Sequence, residues 1–170
     1  PTQHEVLQVT AISEVEIYNR QQINMLGWQM PWESVVQALA NPITPQILKA
    51  AEFTLVSAFT RYQAEMKNYA LQSFSPNRPI VEACEDLMAR IFTDFQYESG
   101  ATTISTPLEE VFATKKGVCQ DFAHFALACL RSIGLAGRYV SGYIETFPPE
   151  GQEKLEGADA THAWFALYVP

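Results

Sequence analysis

The segment "GVCQDFAHFALACLRSIG", residues 117–134, decides the fold. Apolar residues occupy nearly every side of it from Phe122 to Ile133, and this pattern predicts a buried helix. Cys119 stands at the start of that helix, behind the flexible Gly117. A thiol placed where a helix begins calls for a chemical explanation.

The start of a helix is a favourable place for an anion. Its backbone N–H groups are unpaired and it carries a partial positive charge, so a first-turn cysteine holds more thiolate at neutral pH. Lys115 and Lys116 lie just upstream and are expected to act in the same direction. Cys119 is therefore a candidate nucleophile, although cysteine often serves as a small buried hydrophobe. We interpret Cys84 and Cys129, which stand at apolar positions, as such packing residues.

A thiol nucleophile needs a base, and the chain has three histidines. His4 stands near the beginning of the sequence. His124 belongs to the buried helix, where the helical step turns it away from Cys119, so we interpret it as a core or rim histidine. His162 opens the segment "HAWFALYVP", whose alternation predicts a strand. A histidine where a loop enters a strand can lie over a thiol on a neighbouring helix, so His162 is the best candidate base.

Composition limits the remaining classes of function. The chain has 170 residues, of which 48% are hydrophobic and 18% charged, as in a soluble globular domain. A net charge of -8 and a pI near 4.8 argue against nucleic acid or an anionic membrane as partners. Three cysteines without framework spacing favour a reducing compartment, so we expect a cytoplasmic protein. No metal-ligand spacing occurs, and we expect no metal or other cofactor.

The remaining elements predict an α+β fold in which N-terminal helices pack on a C-terminal antiparallel sheet. Alternating residues 5–17 predict a half-buried strand, which could pair with a second copy of the chain to form a dimer. The sequence predicts a short helix near "WESVVQALA" and a second helix from a Thr60–Gln63 capping box to about Phe74. A third helix is predicted from Pro79, and a short fourth one from a Thr106–Glu109 capping box to Ala113. The predicted strands are "RYVSGYIET" and "HAWFALYVP", and the predicted buried stripe of the third helix is Val81, Cys84, Met88, Ile91 and Phe95.

Two long segments resemble a known family. "GVCQDFAHFALACLRSIGLAGRYVSGYIET" and "GADATHAW" are similar to the bacterial transglutaminase-like proteins, relatives of the papain-type thiol enzymes. The likeness is close over residues 75–170. We therefore interpret residues 1–40 as the end of an N-terminal β region with a linker. Residues 41–170 are interpreted as the transglutaminase-like core, C-terminally incomplete.

The resemblance implies a Cys-His-Asp triad. Cys119 matches the nucleophile and His162 matches the base, while the family's aspartate is expected on a strand after Pro170. Asp159 is interpreted as a loop residue. The chain departs from the family at Ala166, where members often carry an acidic residue.

The implied function is a cysteine enzyme that hydrolyses or transfers the acyl group of protein or peptide amides through a thioester. Loss of the orienting aspartate costs several orders of magnitude in such triads, so the sequence as it stands is expected to be weakly active. The alternative from another class is an inactive binding or scaffolding domain, which retention of both Cys119 and His162 disfavours. A simple thiol redox protein is a weaker alternative, because Cys119 has no nearby resolving cysteine.

Overall fold

The computed structural model describes residues 29–144 and 161–169 and three isolated positions nearer the N terminus. Helices precede the main strands, as the α+β prediction requires. The elements are α1 (Trp32–Ala40), α2 (Pro45–Ala51), a short 3-10 helix (Glu52–Thr54), α3 (Ala64–Ser73), α4 (Ile80–Asp94), β1 (Gln96–Tyr97), α5 (Leu108–Thr114), β2 (Lys116–Gly117), α6 (Cys119–Ser132), β3 (Gly137–Tyr143) and β4 (Thr161–Leu167).

Helix α6 is the buried central helix that the sequence predicts. Five successive side chains from Ala126 to Leu130 are buried, so water reaches no side of its middle turns. Phe125 extends this core into an aromatic cluster with Tyr69, Phe95 and Phe112, whose ring centroids lie 4.8–5.4 Å from its own. Aromatic rings at these separations stabilise one another in edge-to-face or offset arrangements. The helix is thereby fixed, and its first turn has a defined position.

Strands β3 and β4 form the predicted antiparallel pair. A Cβ at Gly137 would lie 2.6 Å from Leu127 Cδ2, so this face of the sheet packs directly on α6. Side chains alternate along a strand, and the same face therefore carries Tyr139 and its cross-strand partner Phe165. The opposite face carries His162, which pairs with Gly142.

The two predicted capping boxes are wrong. Thr60 Oγ1 turns back to accept the backbone N–H of Ser57 at 3.0 Å and a bond from Arg131 at 2.7 Å, so α3 begins only at Ala64. Thr106 Oγ1 likewise accepts the N–H of Thr103 at 2.8 Å. In both cases a turn before the helix competes successfully for the hydroxyl. The helices nevertheless form, because packing rather than a single cap stabilises them.

Helix α4 begins as predicted at Pro79, which is its N-cap, and three residues of its predicted stripe, Cys84, Ile91 and Phe95, are buried, whereas Val81 and Met88 are not. Ala83 and Leu87 are buried, whereas Met88 is exposed. The buried set is Ile80, Ala83, Cys84, Leu87 and Ile91, followed by Phe95. Spacings of three and four residues fit either stripe, and only the direction of the core selects between them.

Two predictions lie outside the described residues: the strand at 5–17, apart from three isolated positions, and the interpretation of Asp159 as a loop residue. The domain boundary near residue 40 stays a prediction. Helix α1 contributes Val35 and Leu39 to the common core. Among the helices that the structure describes, none has the length and apolar character needed to cross a membrane.

Candidate active site

Cys119 is the first residue of α6, where the sequence analysis placed it. Val118 before it is extended and acts as the N-cap, and Cys119 itself is partly exposed. The first backbone N–H groups of a helix have no intrahelical acceptor and form an anion site. The thiol therefore lies at the end of α6 that can stabilise negative charge and is open to a reagent.

Asp121 fixes this helix start, and sequence reasoning assigned it no role. Its Oδ2 accepts the backbone N–H of Val118 at 2.8 Å and the hydroxyl of Thr102 at 2.5 Å. A Cβ at Gly117 would lie 2.8 Å from the same oxygen, so the carboxylate can approach only because residue 117 is glycine. An acidic residue three positions after the N-cap is the sequence signal that could have indicated this cap.

The two lysines do not act on the thiol as expected. The Lys115 ammonium lies 3.3 Å from the centroid of the Phe112 ring, and burial lowers the pKa of this lysine. Lys116 Nζ pairs with Glu98 Oε2 at 2.7 Å. Lys115 has a left-handed backbone (φ 57°) at the end of α5, and its side chain enters the aromatic cluster. Position along the chain was therefore a poor guide to where these charges lie.

The strand register pairs His162 with Gly142, on the face of the sheet opposite to the one that carries Gly137 and Tyr139 toward α6. Helix α6 and β3 run in opposite directions: Gly137 lies against Leu127, and Tyr139 stacks on His124. Continued along β3, this progression leads past Tyr139 to Gly142, the cross-strand partner of His162. Across residues 29–144 and 161–169, however, no hydrogen bond joins the imidazole of His162 to the thiol of Cys119. Their pairing stays a prediction.

Tyr139 lies within electrostatic range of the thiol and was missed by the sequence analysis. Burial raises the pKa of its phenol, and negative charge on Cys119 and Asp121 raises it further. Its ring stacks on His124 with centroids 4.9 Å apart. Strand alternation could have placed Tyr139 on the face toward α6. The sequence near Tyr139 does not show which turn of α6 this residue faces.

His124 is a half-buried rim residue, as we interpreted it from the sequence. Its ring lies between two aromatic rings, with the Phe59 centroid at 5.4 Å and the Tyr139 centroid at 4.9 Å. Burial lowers the pKa of the imidazole, while the charge of Asp121 partly opposes that shift. The neutral ring is therefore favoured at neutral pH.

A cleft of about 310 Å³ opens along the first turns of α6. It contains the two residues after Cys119 and extends to the segment before α5. Its lining is Ala58, Phe59, Arg61, Ile104–Glu109, Gln120, Asp121 and His124. The volume is at the small end of ligand pockets, which hold roughly 300–1,000 Å³. Such a cleft accommodates a side chain rather than a large cofactor.

The other two cysteines are packing residues, as predicted. Cys84 is 6% exposed and Cys129 is 0% exposed. Burial raises the pKa of each thiol from 9.0 to about 12. Neither thiol ionises near neutral pH, so neither competes with Cys119 as a nucleophile. Within the part of the chain that the structure describes, no group of three or more His, Cys, Asp or Glu residues is placed to hold a metal ion.

Comparison with known proteins identifies the family. The model of the transglutaminase-like superfamily matches residues 67–170, which is more than half of the chain. The chain belongs to the transglutaminase-like superfamily. The match contains both Cys119 and His162, and the superfamily includes thiol enzymes, so the α+β core with a helix-start cysteine is a transglutaminase-like, papain-like fold.

Mycobacterial proteins are similar to most of this chain. Uncharacterized proteins of Mycobacterium bovis and Mycobacterium tuberculosis are each 49% identical over 140 residues, which cover 82% of this chain. An uncharacterized protein of Mycobacterium leprae is 30% identical over 167 residues, 98% of this chain. The chain spans 43% of the length of the first two relatives and 56% of the third.

A solved structure shares the transglutaminase-like fold. It is a crystal structure of a "putative cysteine protease" from Cytophaga hutchinsonii, with a TM-score of 0.59 and 22% sequence identity. The match covers 74% of this chain and 41% of that one. At this identity the likeness establishes the fold alone, and the reaction has to be argued from the site.

Proposed function

We propose that the protein is a thiol enzyme that cleaves or transfers the acyl group of protein or peptide amides. Cys119 is the nucleophile and His162 the base. The observation that carries the proposal is the position of Cys119: it is the partly exposed first residue of α6, the buried central helix. The other cysteines are buried in the core, so only this thiol faces a reagent at the anion-stabilising end of a helix.

The reaction follows acyl-transfer chemistry. His162 takes the proton of the Cys119 thiol, and the thiolate sulfur attacks the amide carbonyl carbon. Backbone N–H groups at the start of α6 stabilise the resulting oxyanion. The C–N bond breaks and the imidazolium gives its proton to the departing amine or ammonia, which leaves a thioester. Water or a lysine amine then attacks the thioester, and the thiolate leaves as the new bond forms.

Alkylation by iodoacetamide against pH, mapped to each cysteine by peptide mass spectrometry, tests this proposal. We expect Cys119 to be labelled rapidly at pH 6, while Cys84 and Cys129 stay unlabelled in the folded chain. The two buried cysteines are internal controls, because their pKa of about 12 keeps them protonated. A His162→Asn variant should slow the labelling of Cys119 at pH 6. If Cys119 reacts only above pH 8, the proposal fails.

A second candidate is a transglutaminase-like binding domain without catalysis. The missing hydrogen bond between Cys119 and His162 in the described structure favours this candidate. Ala166, on the same face of β4 as His162, also supplies no acidic side chain there. Thiol–imidazole bonds are often long before substrate binds, however, so the open pair is compatible with an enzyme. Slow labelling of Cys119 together with unchanged labelling in His162→Asn would favour the binding domain.

Hydrolysis and transfer can be separated by their products. A casein substrate incubated with a fluorescent primary amine gains the fluorophore if an amine resolves the thioester. A fluorescent casein releases peptides if water resolves a peptide thioester. Both assays should lose their signal in a Cys119→Ala variant.

A further inference from the structure

The cleft beside Cys119 has a chemical character of its own. Gln120 and Asp121 follow the nucleophile directly, and His124 continues the cleft one turn further along α6. Phe59 and Ile104, which precedes α5, also line the cleft. Cys119 itself does not line the cleft, which begins at the residue that follows the nucleophile in α6.

Aromatic stacking forms one wall of this cleft. The Phe59 ring lies nearly parallel to the His124 ring, with an interplanar angle of 10°. His124 in turn stacks on Tyr139 of β3, with ring centroids 4.9 Å apart. Phe59 is 53% exposed, because only one face of its ring is covered by this stack. The free face can accept another ring.

A second part of the cleft lining is apolar and exposed to solvent. Ile104 is 74% exposed although it is a large hydrophobic residue, and Leu108, the first residue of α5, also lines the cleft and is buried. Burying such surface against an apolar ligand is favourable. An apolar group between Phe59 and Ile104 would remove both side chains from water.

Charge in the cleft disfavours a charged occupant of either sign. Arg61 and Glu109 both line it, and the carboxylate of Asp121 is held by Thr102 and Val118. Ser105, Thr106 and the Gln120 amide add neutral hydrogen-bonding groups. These polar groups suit the backbone of a peptide, and the apolar walls suit a neutral side chain.

We propose that this cleft is the subsite for an aromatic side chain of the peptide substrate, adjacent to the amide that Cys119 attacks. The ring lies against the free face of Phe59 and contacts Ile104. Gln120 at the mouth of the cleft hydrogen-bonds the peptide backbone. This inference rests on the proposed function and adds the class of side chain that the site selects.

Peptidyl chloromethyl ketones test the subsite. In these probes the thiolate displaces chloride, so a C–S bond forms as the C–Cl bond breaks. The probes are acetyl-Phe-Gly, acetyl-Gly-Phe and acetyl-Gly-Gly chloromethyl ketone, and the rate constant for alkylation of Cys119 is measured with each. We expect one Phe probe to react about tenfold or more faster than the Gly-Gly probe, in the range that a specific pocket gives for a side chain.

Variants distinguish the subsite from general reactivity. Phe59→Ala should abolish the preference for Phe, measured as the rate with each Phe probe divided by the rate with the Gly-Gly probe on the same variant. Phe92→Ala is the matched control, because Phe92 is an 88% exposed phenylalanine on α4 and does not line the cleft. Equal rates for all three probes, with rapid iodoacetamide labelling, would overturn the subsite and leave the proposed function intact. A preference for Phe that survives Phe59→Ala would overturn it as well.

A binding measurement covers the case in which Cys119 is unreactive. The Cys119→Ser variant, labelled for NMR, is titrated with N-acetyl-phenylalanine amide. Saturable shifts at Phe59, Ile104 and His124 would support the aromatic subsite even if the proposed reaction fails. Shifts confined to other residues, or none with the Phe amide, would overturn it, with N-acetyl-glycine amide as the reference.

Discussion

Cys119 and Cys129 lie on the same helix, ten residues apart, and their surroundings differ in every respect that matters to a thiol. Cys129 is fully buried between apolar side chains, and burial raises its pKa to about 12. Cys119 lies at the partly exposed first position, next to unpaired backbone N–H groups and the Asp121 cap. In the function that we propose, one residue type therefore serves packing in the middle of α6 and chemistry at its end.

The burial of α6 along its length also bears on the proposed role of Cys119. A nucleophile acts efficiently only when it is held in position, and a helix fixed by its whole length holds its first residue firmly. The Val118 N–H, the Thr102 hydroxyl and the close approach of Gly117 all converge on Asp121 in that first turn. Packing of the buried middle of α6 thus fixes the position of its exposed first turn.

The largest difference should appear when each cysteine is replaced by alanine. Cys119→Ala should remove labelling at pH 6 and lower amide-cleaving or amine-transferring activity by about 10⁴-fold or more, because the nucleophile is lost. Its free energy of unfolding should change by less than about 0.5 kcal/mol. Cys129→Ala should keep the activity but lose about 1–2 kcal/mol of stability, because a small cavity remains. Activity assays and urea unfolding measure the two effects.

The same pair of variants can contradict the comparison. Activity that survives Cys119→Ala would remove the thiol from the mechanism. Activity that disappears in a folded Cys129→Ala chain would show that the middle of α6 contributes to the chemistry itself. Circular dichroism establishes that each variant is folded before its activity is read.

The Asp121 cap provides the next largest effect. Asp121→Ala should lower the free energy of unfolding by about 1–3 kcal/mol, because the Val118 N–H and the Thr102 hydroxyl lose their acceptor. Asp121→Asn keeps an acceptor oxygen and should lose less. Urea unfolding gives both values. An Asp121→Ala chain as stable as the original would show that the cap does not hold the helix start.

Alkaline pH should separate the buried thiols from the rest of the chain. The pKa of Cys84 and of Cys129 is about 12 in the folded state against 9.0 for an ordinary thiol. Between these values the folded chain keeps protons that the unfolded chain has lost. The free energy of unfolding should therefore be independent of these groups below about pH 9 and fall as pH rises from there toward 12.

Urea unfolding at a series of pH values from 8 to 11 measures this slope. Cys129→Ala should make the fall shallower, although Tyr69, whose pKa burial also raises, contributes a slope of the same sign. Val111→Ala is the control, because it removes a buried neutral group and should lower stability without changing the slope. An unchanged slope in Cys129→Ala would contradict the assigned burial of that thiol.

Much of the fold could be predicted from short-range pattern. The unbroken apolar character of residues 122–133 indicated a buried helix, and alternation after it indicated the two paired strands. Cys119 could be placed at the start of α6 because its position depends on the local boundary of that helix. These predictions succeed because the spacing of apolar residues along the chain directly reflects the period of the helix or strand that they form.

The predictions that failed concern side chains whose partners lie on distant segments of the chain. The Thr60 hydroxyl bonds Ser57 and Arg131 instead of capping α3, and Lys115 enters an aromatic cluster instead of facing Cys119. Tyr139 lies within electrostatic range of the Cys119 thiol only because β3 folds back along α6. The direction in which a side chain points cannot be predicted from its neighbours in sequence when several partners compete for that side chain.

Tyr139 offers the smallest and most specific test of how the end of α6 differs from its middle. Tyr139→Phe keeps the ring that stacks on His124 but removes the hydroxyl near Cys119. We expect the phenol to donate a hydrogen bond to the sulfur once Cys119 ionises, so labelling of Cys119 at pH 6–7 should slow by about two- to fivefold in Tyr139→Phe, the effect of one ordinary hydrogen bond. Tyr143→Phe, at the exposed end of the same face of β3, is the control and should not change the rate. Equal rates in both variants would mean that the backbone of α6 alone stabilises the thiolate, and faster labelling in Tyr139→Phe would mean that the phenol shields the sulfur rather than supporting its charge.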